Sequence, residues 1–291
     1  MQSTYLTTKE LAELLRLKER KIYELAASGE VPSIRATGKL LFSRSAIDAW
    51  LKQNSFGPDL VDEQPRRDVF LGSHDPLLEW ALRESACGCA TFFDGSSDGL
   101  DRFEKREGAA TGLHLYRAAD GDWNRHQVES RFARESVVLV EFCWRERGLI
   151  VAPGNPLHID GLDSLPGRRI VKRQRAAGSQ LLLTQLLAAA DLDDGDLQFC
   201  ATARTETDAA LAVLDGKADA AFGLLGVAQQ FRLGFVPVIR ERFDLLVERR
   251  AWFGAAMQKF LRFCECTTFQ DKARSLGGYD ARGFGDVHFN S

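Results

Sequence analysis

Three glycine-serine turns stand out in this chain of 291 residues: Gly72-Ser73-His74, Gly95-Ser96-Ser97 and Gly178-Ser179-Gln180. Each follows a short extended apolar run and opens a stretch of helical periodicity. A helix start presents unpaired N–H groups and about half a positive charge, and a serine hydroxyl adds one more donor. The chemistry such a turn can do is the holding of an anion. One of these serines alone reads as an N-cap, common at any helix start. Three of them at strand ends read as parts of one binding site. A run of cations, Lys172, Arg173 and Arg175, precedes the third turn. Arg173 offers a fork of donors to a ligand, while Lys172, Arg168 and Arg169 read as surface charge. His74 and His114 can orient an anion or donate to it, or serve as structural residues. Glu206, at the start of a later helix, reads as a ligand contact, a cap or a latch.

Other chemistries find little support. No G-x-x-x-x-G-K-[ST] phosphate loop, G-x-S-x-G elbow or H-E-x-x-H metal helix is picked out, and no base–nucleophile pair stands beside the anion turns. No catalytic residue is expected. Six cysteines include two C-x-C pairs, Cys87/Cys89 and Cys264/Cys266, with Cys143 and Cys200 alone. Zinc sites space their ligands differently, so these read as reduced thiols in or near a core, and neither a metal nor a cofactor is expected.

The elements that must position these residues fall into two blocks. Residues 1–54 hold nine Lys/Arg against six Asp/Glu, a net of +3, whereas the remainder nets −6. A basic head thus precedes an acidic body. In the head, Thr7-Thr8-Lys9-Glu10 fits a capping box, followed by Leu11, Leu14 and Leu15 at helical spacing. A second helix over residues 19–28 buries Ile22, Leu25 and Ala26. Gly29 then suits its C′ position, and Pro32 bars its continuation. Residues 33–43 read as a tight hairpin around Thr37-Gly38-Lys39. A third helix turns Ala46, Ile47, Trp50 and Leu51 inward. The stretch YLTTKELAELLRLKERKIYELAASGEVPSIRATGKLLFSRSAIDAWL resembles the excisionase type of winged helix-turn-helix, related to the MerR regulators. The resemblance covers about fifty residues through L-T-x-x-E-x-A, the I-Y of the second helix, the S-G-E-x-P turn and the closing D-x-W-L. The second helix exposes Lys18, Arg20, Lys21 and Glu24, and such a helix can enter a major groove about 12 Å wide. Arg35, Lys39 and Arg44, on or beside the wing, can touch phosphates. The partner expected is double-stranded operator DNA, bound by a homodimer over a two-fold site.

Residues 54–67, rich in Gly, Pro and charge, read as a linker. From Asp68 onward strands and helices alternate, which predicts parallel sheets covered by helices in two lobes. VVLVEFCWRERGLIVAP is expected to hold two extended pieces, and FVPVIRERFDLLVERRAW two more strands. The ligand should sit at the carboxyl ends of the strands. This body resembles the type II periplasmic-binding-protein fold in its regulator-borne form, and more closely the molybdate-binding-like domains. LGSHDPLLEW, GLHLY, RERGLIVAPGNP, VKRQRAAGSQ, TETDAALAVLDGKADAAFG and GFVPVIRERFDLLV carry the resemblance. The fold class expected is therefore an α+β winged helix-turn-helix head (1–53) followed by a two-lobed α/β periplasmic-binding-protein-like domain (68–291). Lobe 1 would take about 68–155 and 239–291, and lobe 2 about 156–238. The resemblance implies a small anionic effector such as molybdate or tungstate. It also places Ser73, His74, Ser96, Ser97, His114, Arg173, Gly178, Ser179 and Glu206 around the ligand. Where the family shows a Gly-Ser-Gly-Thr-Arg type turn, this chain has Ala176-Ala177-Gly178-Ser179-Gln180, without the second Gly, the Thr and the Arg. That departure leaves a small organic ligand, a pterin or a carboxylate, as the alternative, with an enzyme as a more distant one.

Bulk properties agree with a ligand-responsive regulator. The chain is 45% hydrophobic and 27% charged with a net charge of −3, which excludes a globally basic nucleic-acid coat. The first residues show no basic stretch leading into an apolar one, so no signal peptide is expected. No apolar run approaches the roughly 20 residues of a membrane helix. The expected location is cytoplasmic.

Overall fold

The computed structural model describes residues 4–36, 38–54, 65–175, 177–193 and 195–291. Contacts divide the chain into two units, residues 1–64 and 65–291. Most of the expected linker, and Thr37 in the expected hairpin turn, lie outside the described residues.

The head contains β1 (Tyr5–Thr7), α1 (Thr8–Leu15), α2 (Glu19–Ala27), β2 (Ile34–Ala36), β3 (Lys39–Ser43) and α3 (Arg44–Gln53). The capping box is present: the Thr7 hydroxyl accepts from the Glu10 amide, and the Glu10 carboxylate accepts from the Thr7 amide. Arg16 closes α1 in the left-handed region, at φ 52°. Gly29 follows α2 at φ 75°, while the Glu30 amide donates to the Leu25 carbonyl, the bond that ends a helix in a Schellman motif. The hairpin pairs Arg35 with Leu40. A strand the sequence did not suggest, β1, adds to its other side in the order β1-β3-β2. Leu6, Leu11, Ala12, Ile22, Val31, Phe42 and Ile47 form the core, with Leu15, Leu25, Ala26 and Trp50 against it. Two expected core residues are instead exposed, Leu14 at 41% and Leu51 at 37%. Eight- and ten-residue helices on so small a core can bury only a narrow stripe.

The body opens with β4 (Val69–Gly72), α4 (Pro76–Glu84), β5 (Ala90–Phe92), α5 (Ser96–Glu104) and β6 (Ala110–Leu113). A small ribbon of β7 (Tyr116–Arg117) and β8 (Asp122–Trp123) and the helix α6 (Arg125–Phe132) lead into β9 (Val137–Val151). Then follow β10 (Arg169–Arg173), α7 (Gly178–Ala189), β11 (Gln198–Ala203), α8 (Glu206–Leu214), β12 (Ala220–Leu224), α9 (Leu225–Gln230) and β13 (Gly234–Glu248). The chain ends in α10 (Arg249–Trp252), α11 (Ala255–Cys264), α12 (Thr267–Leu276), β14 (Tyr279–Asp280) and β15 (Val287–Asn290).

One sheet runs β11-β10-β12-β9-β13-β6-β4-β5, with β14 and β15 also paired to β9. The expectation of paired short strands is corrected here: β9 and β13 are each one strand of fifteen residues. They stay extended through their charged centres because Arg145, Arg147, Glu241 and Arg242 are buried and paired. The sheet is also mixed, since β9 runs antiparallel to both β12 and β13. Each lobe places its second, first and third strands in that spatial order, β5-β4-β6 and β11-β10-β12, beside the two long strands that cross between the lobes. Apolar clusters cover both faces. Phe70, Phe142, Phe243, Phe260 and Phe269 anchor one face of the first lobe, and Leu100, Phe103, Val128 and Phe132 the other. Leu149, Ile170, Leu182 and Phe222 fill one face of the second lobe, and Val171, Ala210, Ala221 and Val227 the other. Strands buried on both faces read as nearly continuous apolar runs, so a charge within one is informative. Among the described residues no helix is long and apolar enough to cross a membrane.

Candidate functional site

The first glycine-serine turn is shaped by β4. Gly72 sits at φ 94°, and a Cβ there would come within 2.4 Å of the Gly112 carbonyl and of Thr111 Oγ1. Only glycine lets β4 bend over its neighbour at this point. Ser73 is then pinned by its amide to the Gly112 carbonyl at 2.9 Å, and its hydroxyl meets Ser96 Oγ at 2.7 Å. None of the three serines caps a helix. Asp75 caps α4, Gly95 stands at the cap of α5 and Ala177 at that of α7. The last two have no side-chain bond to the first turn, so the starts of α5 and α7 keep their N–H donors for another partner. Ser96 instead accepts from the His114 amide at 3.2 Å.

The two lobes meet at these turns. A Cβ on Gly178 would lie 2.8 Å from the His114 ring and 3.0 Å from Ser96 Oγ. The Gln180 side chain accepts from the Arg173 amide at 2.8 Å and ties the turn to β10. Ser73, His74, His114, Arg173, Gly178, Ser179 and Glu206 line one cleft of about 30 Å³, together with Phe93, Asp94, Gly95, Gln174 and Arg204. That is room for on the order of two waters, or one small tetrahedral ion. Two more serines were expected in the site and are not among the lining residues: Ser96, which is buried and bonded to Ser73, and Ser97. Ser97 stands second in α5, where the start of the helix carries it past the cleft. Gly95-Ser96-Ser97-Asp98-Gly99 also carries the letters of a G-x-S-x-G nucleophile elbow, which the motif reading passed over. The serine of that pattern is Ser97, which stands inside α5 rather than on a strand-to-helix turn, and among the described residues no hydrogen bond joins it to the histidine base that an elbow serine needs.

Beneath the cleft lies a buried chain of alternating charge. Asp75 meets Arg145 at 2.7 Å, Arg145 meets Glu241 at 2.5 Å, and Glu241 meets Arg147 at 2.8 Å. Arg147 meets Glu206 at 3.1 Å, and Glu206 meets Arg173 at 3.2 Å. Arg145 and Glu241 stand directly opposite each other on β9 and β13. Tyr279 donates to Asp75 at 2.8 Å, and His114 bonds Glu241 at 3.1 Å. Burial opposes ionisation of Glu241, yet Arg145, Arg147 and His114 hold it well below the usual carboxylate range. Burial likewise opposes ionisation of Glu206, and Arg147 and Arg173 keep it below that range. Burial pushes His114 down, outweighing the pull of Glu241. A neutral ring beside a carboxylate carries its proton on Nδ1, so Nε2 is left as an acceptor.

Sequence reasoning missed Arg145, Arg147, Glu241 and Asp75. The signal was there: Arg145-Glu146-Arg147 and Arg240-Glu241-Arg242 place three consecutive charges of alternating sign in otherwise apolar runs. Of the other cations, Lys172 lies over the Phe199 ring at 4.6 Å and Arg169 pairs with Asp219 at 2.6 Å. Arg173 alone of that run lines the cleft. Cys87, Cys143 and Cys264 are buried in one core of the first lobe, with Cys89 and Cys266 against it, and all six thiols are free. Burial pushes the Cys89 thiol up to about 12. No three His, Cys, Asp or Glu among the described residues are grouped to hold a metal ion.

On the head, Lys18, Arg20, Lys21, Glu24, Arg35 and Lys39 are exposed and Arg44 is half-buried. Glu24 is held by Arg20 at 3.3 Å and Lys21 at 3.6 Å. A groove of about 570 Å³ runs between α2 and the hairpin, lined by Glu19, Tyr23, Arg35, Lys39 and Lys9. Neither Tyr23 nor Lys9 was named from the sequence as a DNA contact.

Comparison with known proteins follows these two parts. The profile of a helix-turn-helix domain matches residues 5–55, and that of the PBP superfamily domain matches residues 79–265. The uncharacterized protein YvgK of Bacillus subtilis (strain 168) is 24% identical over 265 residues, covering 84% of this chain and 85% of that protein. A substrate-binding protein of Clostridium perfringens, solved with bound phosphate, superposes with a TM-score of 0.55 at 11% identity, over 73% of this chain and 98% of that one. A histidine kinase sensor domain with similarity to periplasmic binding proteins gives 0.48 at 13% identity, over 74% of this chain and 97% of its own. The chain belongs to the PBP superfamily domain family and carries a helix-turn-helix domain ahead of it.

Proposed function

We propose that the chain is a ligand-responsive transcriptional regulator, without enzymatic activity, whose head binds operator DNA and whose cleft holds a small oxyanion. The observation that carries this is the convergence of two helix starts without side-chain caps, two serines, Ser73 and Ser179, and Arg173 on one cleft of about 30 Å³. Backbone donors and hydroxyls suit an anion, and the volume suits a small one. The family resemblance names molybdate and tungstate, and the Clostridium perfringens protein of the same fold was solved holding phosphate. A pterin would ask for a wide, aromatic-lined pocket, whereas Phe93 is the one phenyl ring here.

On the head, Lys18, Arg20, Lys21 and Glu24 of the α2 region are assigned to the major groove and Arg35, Lys39 and Arg44 to the backbone. The regulator acts in the cytoplasm as a homodimer. The test is calorimetry of the full chain with molybdate, tungstate, sulfate and phosphate. At least one should bind more tightly than about 1 mM, and the reading fails if none does.

A further inference from the structure

The cleft holds more than donors. Glu206 is 5% exposed. Its Oε1 takes Arg147 and Arg173, but its buried Oε2 has no hydrogen-bond partner. Nε and NH1 of Arg173 are likewise buried without a hydrogen bond, although NH1 lies 3.2 Å from Glu206 Oε1. A charged, buried oxygen without a donor is costly, and such a group calls for an explanation. His114 Nε2 adds a second acceptor on the same cleft. The lining side chains also bring two guanidiniums, Arg173 and Arg204, against two carboxylates, Asp94 and Glu206. The cleft is therefore not a simple positive trap.

We propose that the effector is an oxyanion that keeps a hydroxyl at neutral pH, of the phosphate or arsenate kind, and that Glu206 is the residue that selects it. This rests on the oxyanion reading above and departs from molybdate and tungstate within it. One oxygen of the anion accepts from Arg173 and from the free amides of α5 and α7. Its hydroxyl donates to Glu206 Oε2. Sulfate, molybdate and tungstate carry no proton at neutral pH. They would set a bare oxygen against that carboxylate, and a site built to pair a hydroxyl rejects an analogue lacking it.

The experiment is calorimetry of the full chain at pH 7 with phosphate, arsenate, sulfate and molybdate, repeated on Glu206→Gln. Phosphate and arsenate should bind the wild type at least tenfold more tightly than sulfate or molybdate. In Glu206→Gln, whose carboxamide can turn a donor to the anion, phosphate should weaken at least tenfold and the preference should shrink or reverse. Because Glu206 also pairs with Arg147, a thermal melt checks that the variant is folded. If it is not, the wild-type ratios decide alone. Sulfate or molybdate binding the wild type as tightly as phosphate overturns the inference and leaves the oxyanion reading standing. A folded Glu206→Gln protein that keeps the wild-type preference also overturns it. Binding of none of the four anions removes both.

Discussion

Gly178 shows how single atoms control the cleft. Its place at the start of α7 needs no unusual backbone; what forbids a side chain is the opposing lobe, with the His114 ring 2.8 Å from where a Cβ would be. Gly178→Ala should therefore spare folding and spoil closure. The expectation is a loss of anion affinity of at least about tenfold, or 1.4 kcal/mol, with a melting temperature within a few degrees of wild type. Calorimetry and a thermal melt measure both. Asp244 offers a separate check. Buried at 0% exposure, it is raised to about 6, burial outweighing the pull of Arg242 and its bond with Asn124. The folded state thus holds this proton more tightly than the unfolded chain. Stability from this group is present at the acid end and lost as pH rises from about 4 through about 6, by on the order of 3 kcal/mol. Urea unfolding over that range should show wild type losing stability relative to Asp244→Asn, and parallel curves would refute it. At this scale the sequence was legible where chemistry is local. Glycine before serine, cations before a helix and a Thr-x-x-Glu box each declare a backbone need within a few residues. Arg145 and Glu241 pair across ninety-odd positions, and nothing near either one names its partner.

The two long strands decide how far element-level reading could go. Charged triplets at the centres of β9 and β13 read as breaks between short strands, because a charge in a covered sheet is usually an end. The ladder continues through them because Arg145 faces Glu241 and Glu146 faces Arg240 in register. The same feature makes the crossing vulnerable. Glu241→Gln strips Arg145 and Arg147 of a shared carboxylate, and breaking a buried pair from one side costs about 3–5 kcal/mol. A fall in the urea midpoint with an unchanged slope is the expected result, and a midpoint equal to wild type would mean the pairing is solvent-screened. The head was more legible, since helix, turn, helix, hairpin and helix all follow from caps and spacing. Its outer strand β1 escaped notice because three residues carry too little pattern. For the groove beside α2, replacing Arg35 or Lys39 with Ala should weaken binding to any duplex evenly and lower the salt slope by about one each. Anisotropy titrations against salt would read this, and an unchanged slope would remove that residue from the phosphate contacts.

For the whole molecule, the proposed function, a head that binds operator DNA and a cleft that holds an anion, predicts a coupling that runs both ways. Whatever factor the anion applies to operator affinity, the operator must apply to anion affinity. Calorimetry with and without a bound duplex should return the same factor as duplex titrations with and without the anion. Equal affinities in both would show two independent modules. Sedimentation should show a dimer if the operator is two-fold. The alternating row Asp75, Arg145, Glu241, Arg147, Glu206, Arg173 has a consequence for descent as well. Its signs cancel, so a lineage cannot shed one member without stranding a buried charge on its neighbour. Inherited change here must come in opposite-signed couples, and chains that share this ancestor should keep the row entire or show it replaced in matched steps.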